Sequence, residues 1–274
     1  MPARTIVITG ASDGIGAAAA RHLTRRGENV VVVGRSASKT QAIAGELASD
    51  FVVADFARLD DVRSLAATLR ERHPHIDVLA NNAGGIMSRR EETVDGHEKT
   101  LQVNHLAPFL LTNLLIDRLS ASTAIVINTA SIANSLYGRL DIDDLDARKK
   151  YSPNLAYGNA KLANILFTTE LDSRYRSAGI STAAFHPGIV GTSFAADSSS
   201  NLRFVYRTVL GKLMMSPEKG ADTLEWLATT RPGVDWVRGG YYERRKIQKA
   251  NKQAYDAELA HELWERSAEM VGLG

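Results

Sequence analysis

Hydrophobic residues fall into short β-branched runs, separated by longer stretches in which apolar positions recur at helical spacing. Thr5-Ile-Val-Ile-Thr9 and Asn29-Val-Val-Val-Val33 read as buried strands, and Phe51-Val-Val-Ala54, Asp77-Val-Leu-Ala80, Ala124-Ile-Val-Ile-Asn128 and Ser181-Thr-Ala-Ala-Phe185 as further strands. Between them the pattern predicts an alanine-rich helix ending near Arg26, part of a helix over residues 42–48, a helix near 60–71, a long helix over about 97–119, and another over about 154–177. Such alternation with short connections predicts an α/β fold, a doubly wound parallel sheet with helices on both faces and right-handed crossovers. Ligands of such sheets bind at the carboxyl ends of the strands. No linker or shift of composition divides the 274 residues, so one domain over 1–274 is expected.

Composition narrows the function classes. Hydrophobic residues at 44% and charged residues at 23% are ordinary for a soluble globule, and a formal charge of +2 gives no drive toward nucleic acid or membrane. The absence of cysteine excludes disulfides and thiolate catalysis. Met1-Pro-Ala-Arg4 leaves no room for a signal peptide, and no apolar run approaches the ~20 residues of a membrane span, so a cytoplasmic protein is expected.

Two patterns carry chemistry. The first strand leads into Gly10-Ala-Ser-Asp-Gly14-Ile-Gly16 and then a helix. Glycines allow tight turns and close approach, and the helix start offers N–H groups and a positive dipole end to a pyrophosphate. The spacing is Gly-x-x-x-Gly-x-Gly rather than the Gly-x-Gly-x-x-Gly of the usual dinucleotide fingerprint, and a ligand-free turn is the bland alternative. Further on, Tyr157 and Lys161 stand four residues apart, on one face of a helix. An ammonium beside a phenol favours the phenolate, bringing a group that ionises near pH ~10 toward the range useful for proton transfer. Taken alone the pair also fits a solvated helix surface.

In order along the chain, Thr9-Gly-Ala-Ser-Asp-Gly-Ile-Gly16, Asn81-Asn-Ala-Gly84, Asn104, Ser131, Tyr157-x-x-x-Lys161 and Pro187-Gly188 resemble the motifs of the short-chain dehydrogenase/reductase superfamily. Residues 103–115, Lys161-Leu-Ala-Asn-Ile-Leu-Phe167, His186-Pro-Gly188 and Glu262-Leu-Trp-Glu265 resemble its retinol-dehydrogenase-like, WW-domain-oxidoreductase-like branch. The resemblance to animal members of that branch would imply a hydrophobic membrane anchor, and the expectation of a cytoplasmic protein departs from it. The resemblance implies a catalytic set of Asn104, Ser131, Tyr157 and Lys161. Tyr157 would be the acid in carbonyl reduction and the base in alcohol oxidation. Lys161 would lower its pKa and bind the nicotinamide ribose, Ser131 would hold the substrate oxygen, and Asn104 would hold a water that links Lys161 to solvent.

The implied cofactor site comprises Gly10, Ser12, Gly14, Ile15, Gly16, Arg35, Asp55, Phe56, Asn82, Ala83, Gly84, Tyr157, Lys161, Pro187, Gly188, Val190 and Thr192. After the second strand, an acid would bind the free 2′-hydroxyl of NAD. Here Gly34-Arg35 stands instead: glycine leaves room and offers no carboxylate, and the guanidinium can pair with a 2′-phosphate, so NADP (NADPH) is expected. Asp13 occupies a place where some NADP enzymes of the family carry a basic residue.

Other features have plainer readings. Asp141, Asp143, Asp144 and Asp146 imitate a calcium loop, but Leu145 and Asp146 occupy a ligand place and the glycine place. The seven histidines lack zinc spacing, and no metal is expected. Arg244-Arg245-Lys246 is a short basic run flanked by acids, read as a solvated face with no nucleic-acid partner. Compared with the shortest members of the family that the sequence resembles, the polar residues through Lys150 read as an insertion, expected to rim the substrate entrance. Residues 193–216 read as core packing or as an apolar substrate lid, and about 250–271 as a helical tail. The expected function is an NADP-dependent oxidoreductase interconverting an alcohol and its carbonyl on an apolar small molecule, in a homo-oligomer with a dimer favoured. The rivals are a non-catalytic NAD(P)-sensing or scaffold protein, which loss of a catalytic residue would favour, and a sugar-nucleotide epimerase or dehydratase, which usually has a larger C-terminal region.

Overall fold

The computed structural model describes residues 3–188 and 215–273. The six predicted runs become β1 (Thr5–Thr9), β2 (Asn29–Gly34), β3 (Asp50–Val53), β4 (Val78–Asn81), β5 (Ile125–Thr129) and β6 (Ser181–Phe185). With β7 (Gly240–Glu243) and β8 (Lys246–Ile247) they form one sheet in the order β3-β2-β1-β4-β5-β6-β7-β8. All neighbours are parallel except the β7–β8 pair.

Side-chain alternation along each strand builds the two faces. Ile6, Ile8, Val30, Val32, Val78, Ala80, Ile125 and Ile127 share one core with α1 (Gly14–Arg25), α2 (Ala37–Leu47) and α9 (Pro217–Thr229). Val7, Val31, Val33, Leu79 and Val126 face the other way, onto α3 (Leu59–Arg72), α5 (Ala107–Leu114), α8 (Pro153–Tyr175) and α10 (Ala257–Met270). Burying each such Val, Leu or Ile contributes about 1.5–3 kcal/mol, so both faces draw the helices down. On the second face Phe109, Phe167 and Trp264 pack with centroids 5.0 to 5.7 Å apart, docking α10 against α5 and α8.

Local bonds set the boundaries. The helix of which 42–48 was expected to be a part, α2, starts at Ala37, because the Ser36 hydroxyl accepts the Lys39 N–H and caps it. The single helix expected over 97–119 is interrupted. It comprises α4 (Lys99–Leu101), a π turn over Gln102–Leu106, α5, and α6 (Ile116–Ala121) after a break at Leu115. Two residues account for the π turn. Pro108 has no N–H to return to the carbonyl of Asn104, and the Asn104 amide donates to the Thr100 carbonyl at 2.8 Å, displacing a backbone partner. The start is set by buried Glu98, whose carboxylate accepts the N–H groups of Thr100 and Leu101 and whose pKa burial raises.

The β7–β8 hairpin turns on Arg244 and Arg245, both at positive φ (49° and 60°), the conformation a two-residue turn demands. Arg245 is held there by an ion pair to Asp222 of α9. Among the described residues no helix is long and apolar enough to cross a membrane. Apart from Met215 and Ser216, the 193–216 segment lies outside the described residues.

Candidate active site

Strand order reverses at β1, which pairs with β2 on one side and β4 on the other, so the chain diverges above their carboxyl ends. The glycine turn lies there, with Gly10 at φ 67° and Gly14 at φ 54°. A Cβ on Gly16 would run into the Gly10 carbonyl and lie 2.7 Å from Asn82 Nδ2. Asn82 donates to the Thr9 carbonyl at 3.0 Å, and the Thr9 hydroxyl accepts the N–H groups of Asn82 and Ala83, each at 3.0 Å. Turn and β4 end are thereby one piece. Asp13 caps α1 by accepting the Gly14 N–H at 2.7 Å, and its other oxygen meets the Lys39 ammonium at 3.0 Å.

Position 34 corrects a sequence reading. A side chain there would not find room: its Cβ would overlap Thr40 Oγ1 and lie 2.8 Å from Ser12. Gly34 is required by the packing of α2 on β2, whatever the cofactor. Arg35 follows it, exposed. Asp55 folds onto its own turn, accepting the Ala57 N–H at 3.0 Å. The Phe56 ring is buried in the core with Leu59 and Val62, and its carbonyl accepts from the Gln102 amide at 3.3 Å.

Tyr157 and Lys161 share a face of α8, and the ammonium lies 5.5 Å from the ring centroid. Tyr157 packs against Ile86 and Ala133, an apolar wall. Lys161 is 1% exposed. Burial lowers its pKa to about 7. It donates to the Thr129 carbonyl at 3.0 Å and lies 3.2 Å from where a Cβ on Gly84 would stand, so Gly84 opens space beside it.

Ser131 follows β5. Its hydroxyl oxygen accepts the Ala133 N–H at 3.2 Å, at the start of α7 (Ala133–Tyr137), which leaves the O–H proton to be donated elsewhere. Asn104 sits in the π turn and clasps Gly85, accepting its N–H at 3.1 Å and donating to its carbonyl at 2.8 Å. Pro187 ends in Gly188, at φ 84°, whose N–H donates to His186 Nδ1 at 3.3 Å. Val190 and Thr192 lie outside the described residues. The turn, the 81–85 segment, Asn104, Ser131, Tyr157 and Lys161 converge; Arg35 and Asp55 stand farther out, at the ends of β2 and β3.

Three supporting residues escaped the sequence reading. Buried Asn134 donates to the Ser131 carbonyl and to Tyr241 Oη, and accepts the Asn251 N–H at 2.9 Å, fixing the Ser131 turn to the C-terminal region. Buried His105 and Asn164 stand beside Lys161's carbonyl partner. Their only signal was a polar residue inside an apolar helical run, where an unpaired amide or imidazole is costly.

Residues 4–203 match the family model "short chain dehydrogenase". The chain is 42% identical over 279 residues to a Streptomyces sp. (strain C5) protein assigned as the daunorubicin C-13 ketoreductase DnrU, covering 99% of this chain and 94% of that one. It is 38% identical over 286 residues to human retinol dehydrogenase 13, covering 100% of this chain and 86% of that one. A crystal structure of an uncharacterized protein from Mycobacterium paratuberculosis superposes with a TM-score of 0.79 at 33% identity, covering 99% of this chain and 96% of that one. With the Rossmann-type sheet and the ordered motifs in place, the chain belongs to the short-chain dehydrogenase/reductase superfamily of oxidoreductases, which act on alcohols and their carbonyls.

Proposed function

We propose that the protein is an NADP-dependent alcohol/carbonyl oxidoreductase acting on an apolar small molecule, with Tyr157 as general acid and base. The observation that carries this reading is the buried Lys161 ammonium, 5.5 Å from the Tyr157 ring and beside the space that Gly84 leaves open.

The residues fit a dinucleotide. The glycine turn and the start of α1 would hold the pyrophosphate, Asn82-Ala83-Gly84 the adenine-side ribose, Lys161 the nicotinamide ribose hydroxyls, and Pro187-Gly188 with Val190 and Thr192 the carboxamide. Arg35 would pair with the 2′-phosphate. When bound, the cofactor supplies or accepts the hydride. Tyr157 gives its hydroxyl proton to the carbonyl oxygen in reduction and takes it back in oxidation. Lys161 stabilises the phenolate, and the Ser131 O–H, whose oxygen is already fixed by the Ala133 N–H, donates to the substrate oxygen as charge develops. Ile86 and Ala133 flank the phenol with apolar surface, which suits an apolar substrate body. The names of the similar proteins, a ketoreductase and a retinol dehydrogenase, support a bulky apolar substrate.

A screen of NADPH consumption over aliphatic, aromatic, terpenoid and polycyclic ketones and aldehydes tests this. Turnover of one class, abolished in Tyr157→Phe, is the expected result. NADPH binding with no turnover across the whole panel favours the non-catalytic sensor instead.

A further inference from the structure

The polar stretch that joins α7 to α8 returns close to where it starts: Arg139 near one end and Lys150 near the other line the same groove of about 530 Å³. Leu136 and Tyr137 of α7 and Leu155 of α8 supply its apolar lining, and Ser152 and Asn154 complete it. Two contacts tie this groove to the active site. α7 lies against α8 at Gly158, the residue after Tyr157, where a Cβ would stand 2.8 Å from that of Tyr137. Tyr151, between the lining residues Lys150 and Ser152, donates its hydroxyl to the Met87 carbonyl at 3.4 Å, next to Ile86 of the wall on Tyr157.

A single exposed leucine is ordinary, but here Leu136 is 63% exposed, Tyr137 beside it 44% and Ile132, one turn earlier, 42%. Ile132 follows Ser131, so uncovered apolar side chains lead from the serine to the groove. Contiguous apolar surface left in water beside a reaction centre suits the apolar body of a ligand.

Charge decides what stands at the far end of that body. No carboxylate lines the groove. The acids of the joining stretch are turned to other partners: Asp141 pairs with Lys149 at 3.5 Å and Asp146 with Arg148 at 3.7 Å, and Asp144 accepts the N–H groups of Arg148 and Lys149. Asp143 lies outside the lining. Arg139 and Lys150 have no ion-pair partner among the described residues. The Ser152 hydroxyl oxygen accepts the Leu155 N–H at 3.2 Å, which leaves its proton to donate, and Asn154 offers an amide. Two unpaired cations and two neutral donors on an apolar lining complement an amphiphile with an oxyanion head, and a guanidinium takes a carboxylate through two parallel bonds.

We propose that the groove is the far subsite of the substrate pocket: it takes the acidic end of a substrate whose carbonyl lies at Ser131 and Tyr157 and whose apolar body crosses Ile132 and Leu136. The substrate class narrows from an apolar carbonyl compound to an apolar oxo acid, which rests on the alcohol/carbonyl reading given under Proposed function.

Fluorescence titration with dansyl-labelled undecanoate and with its methyl ester, in the presence of NADP, reads the groove without chemistry. The acid is expected to bind about fivefold more tightly than the ester, the scale set by solvent-exposed ion pairs. Arg139→Gln and Lys150→Gln are each expected to remove part of this preference and the double variant all of it, while Leu136→Ser weakens both ligands alike. All three side chains are exposed, so the fold does not depend on them. Equal binding of acid and ester, or a preference that the double variant keeps, overturns the subsite. Turnover of aliphatic and aromatic oxo acids against their methyl esters then tests the occupant. The acids are expected to show the lower KM, and the double variant to raise the KM of acids more than that of esters. Esters turned over with a KM equal to that of the acids overturn the oxo-acid assignment and leave the alcohol/carbonyl reading standing. A carboxylate preference in binding with neither acid nor ester turned over overturns the groove's assignment to the substrate and counts against the alcohol/carbonyl reading itself.

Discussion

Lys161 and Asn164, one turn apart on α8, donate to a single acceptor, the carbonyl oxygen of Thr129, each over 3.0 Å. The acceptor lies at the end of β5, two residues before Ser131, so one peptide group joins the lysine to the strand that presents the serine. The ammonium thus has a neutral partner in a buried place, and its charge costs stability.

That cost has a pH signature. Burial lowers the Lys161 pKa from 10.5 in the unfolded chain to about 7 in the fold, so between those values the unfolded chain holds a proton the folded one lacks. Stability gains from this group as pH rises through the window, and the full penalty is present below about 7. Lys161→Met is expected to stabilise the cofactor-free protein by about 1–3 kcal/mol at pH 6, with the gain fading toward pH 10, while abolishing turnover. Chemical denaturation of both proteins at the two pH values checks it; equal differences at both would contradict the buried-charge account.

Tyr157→Phe keeps ring volume and the contacts with Ile86 and Ala133, and removes only the hydroxyl. Turnover should fall at least 10²-fold while NADPH binding persists. Steady-state rates together with NADPH fluorescence titration measure both, and near-native turnover would remove Tyr157 from the mechanism.

Gly34 and Arg35 are neighbours with different physics. Arg35 is exposed, and Arg35→Ala is expected to weaken NADPH about 10- to 100-fold, the loss of a charge-assisted bond of about 1.5–3 kcal/mol, and to spare NADH. Equal weakening of both cofactors would make Arg35 a bystander.

Gly34→Asp does not test the same thing, because its Cβ would overlap Thr40 Oγ1 and crowd Ser12. It should destabilise the protein by about 1–3 kcal/mol through overpacking. Thermal melts without cofactor show whether the loss belongs to the fold; an unchanged melting temperature would contradict the packing account.

Trp264→Ala removes the ring shared by Phe109, Phe167 and Tyr175, and the surface on which the Arg174 guanidinium lies at 4.6 Å. A loss of about 3–5 kcal/mol is expected in urea denaturation. A loss under 1 kcal/mol would show that α10 is held by other contacts.

Much of the site was legible in the chain because its parts are local. A β-branched run followed by glycines specifies a strand and a turn, and Tyr157 and Lys161 meet through helical spacing alone. The same holds for five-residue strands such as β1, whose alternation sends Ile6 and Ile8 to one face and Val7 to the other. What escaped depends on distant partners. β7 is four residues long and owes its burial to β6, and His105 reaches Asn164 across 59 positions. The π turn was implicit in Pro108, which a reading based on apolar periodicity alone passes over. Asp13 looked misplaced beside an anion site until the structure showed its local duties, to the Gly14 N–H and to Lys39.

The sheet ends in two unequal margins. On one side β3 is four residues long and starts at Asp50, whose carboxylate is engaged by Arg72 and His73. On the other, β8 is two residues long, begins with Lys246 and follows a turn of two arginines. Margins so brief and so charged offer a poor template for a further strand. Among the described residues, both margins are thus poor places for edge-to-edge stacking, and the long parallel core between them is guarded against the strand addition that seeds aggregation.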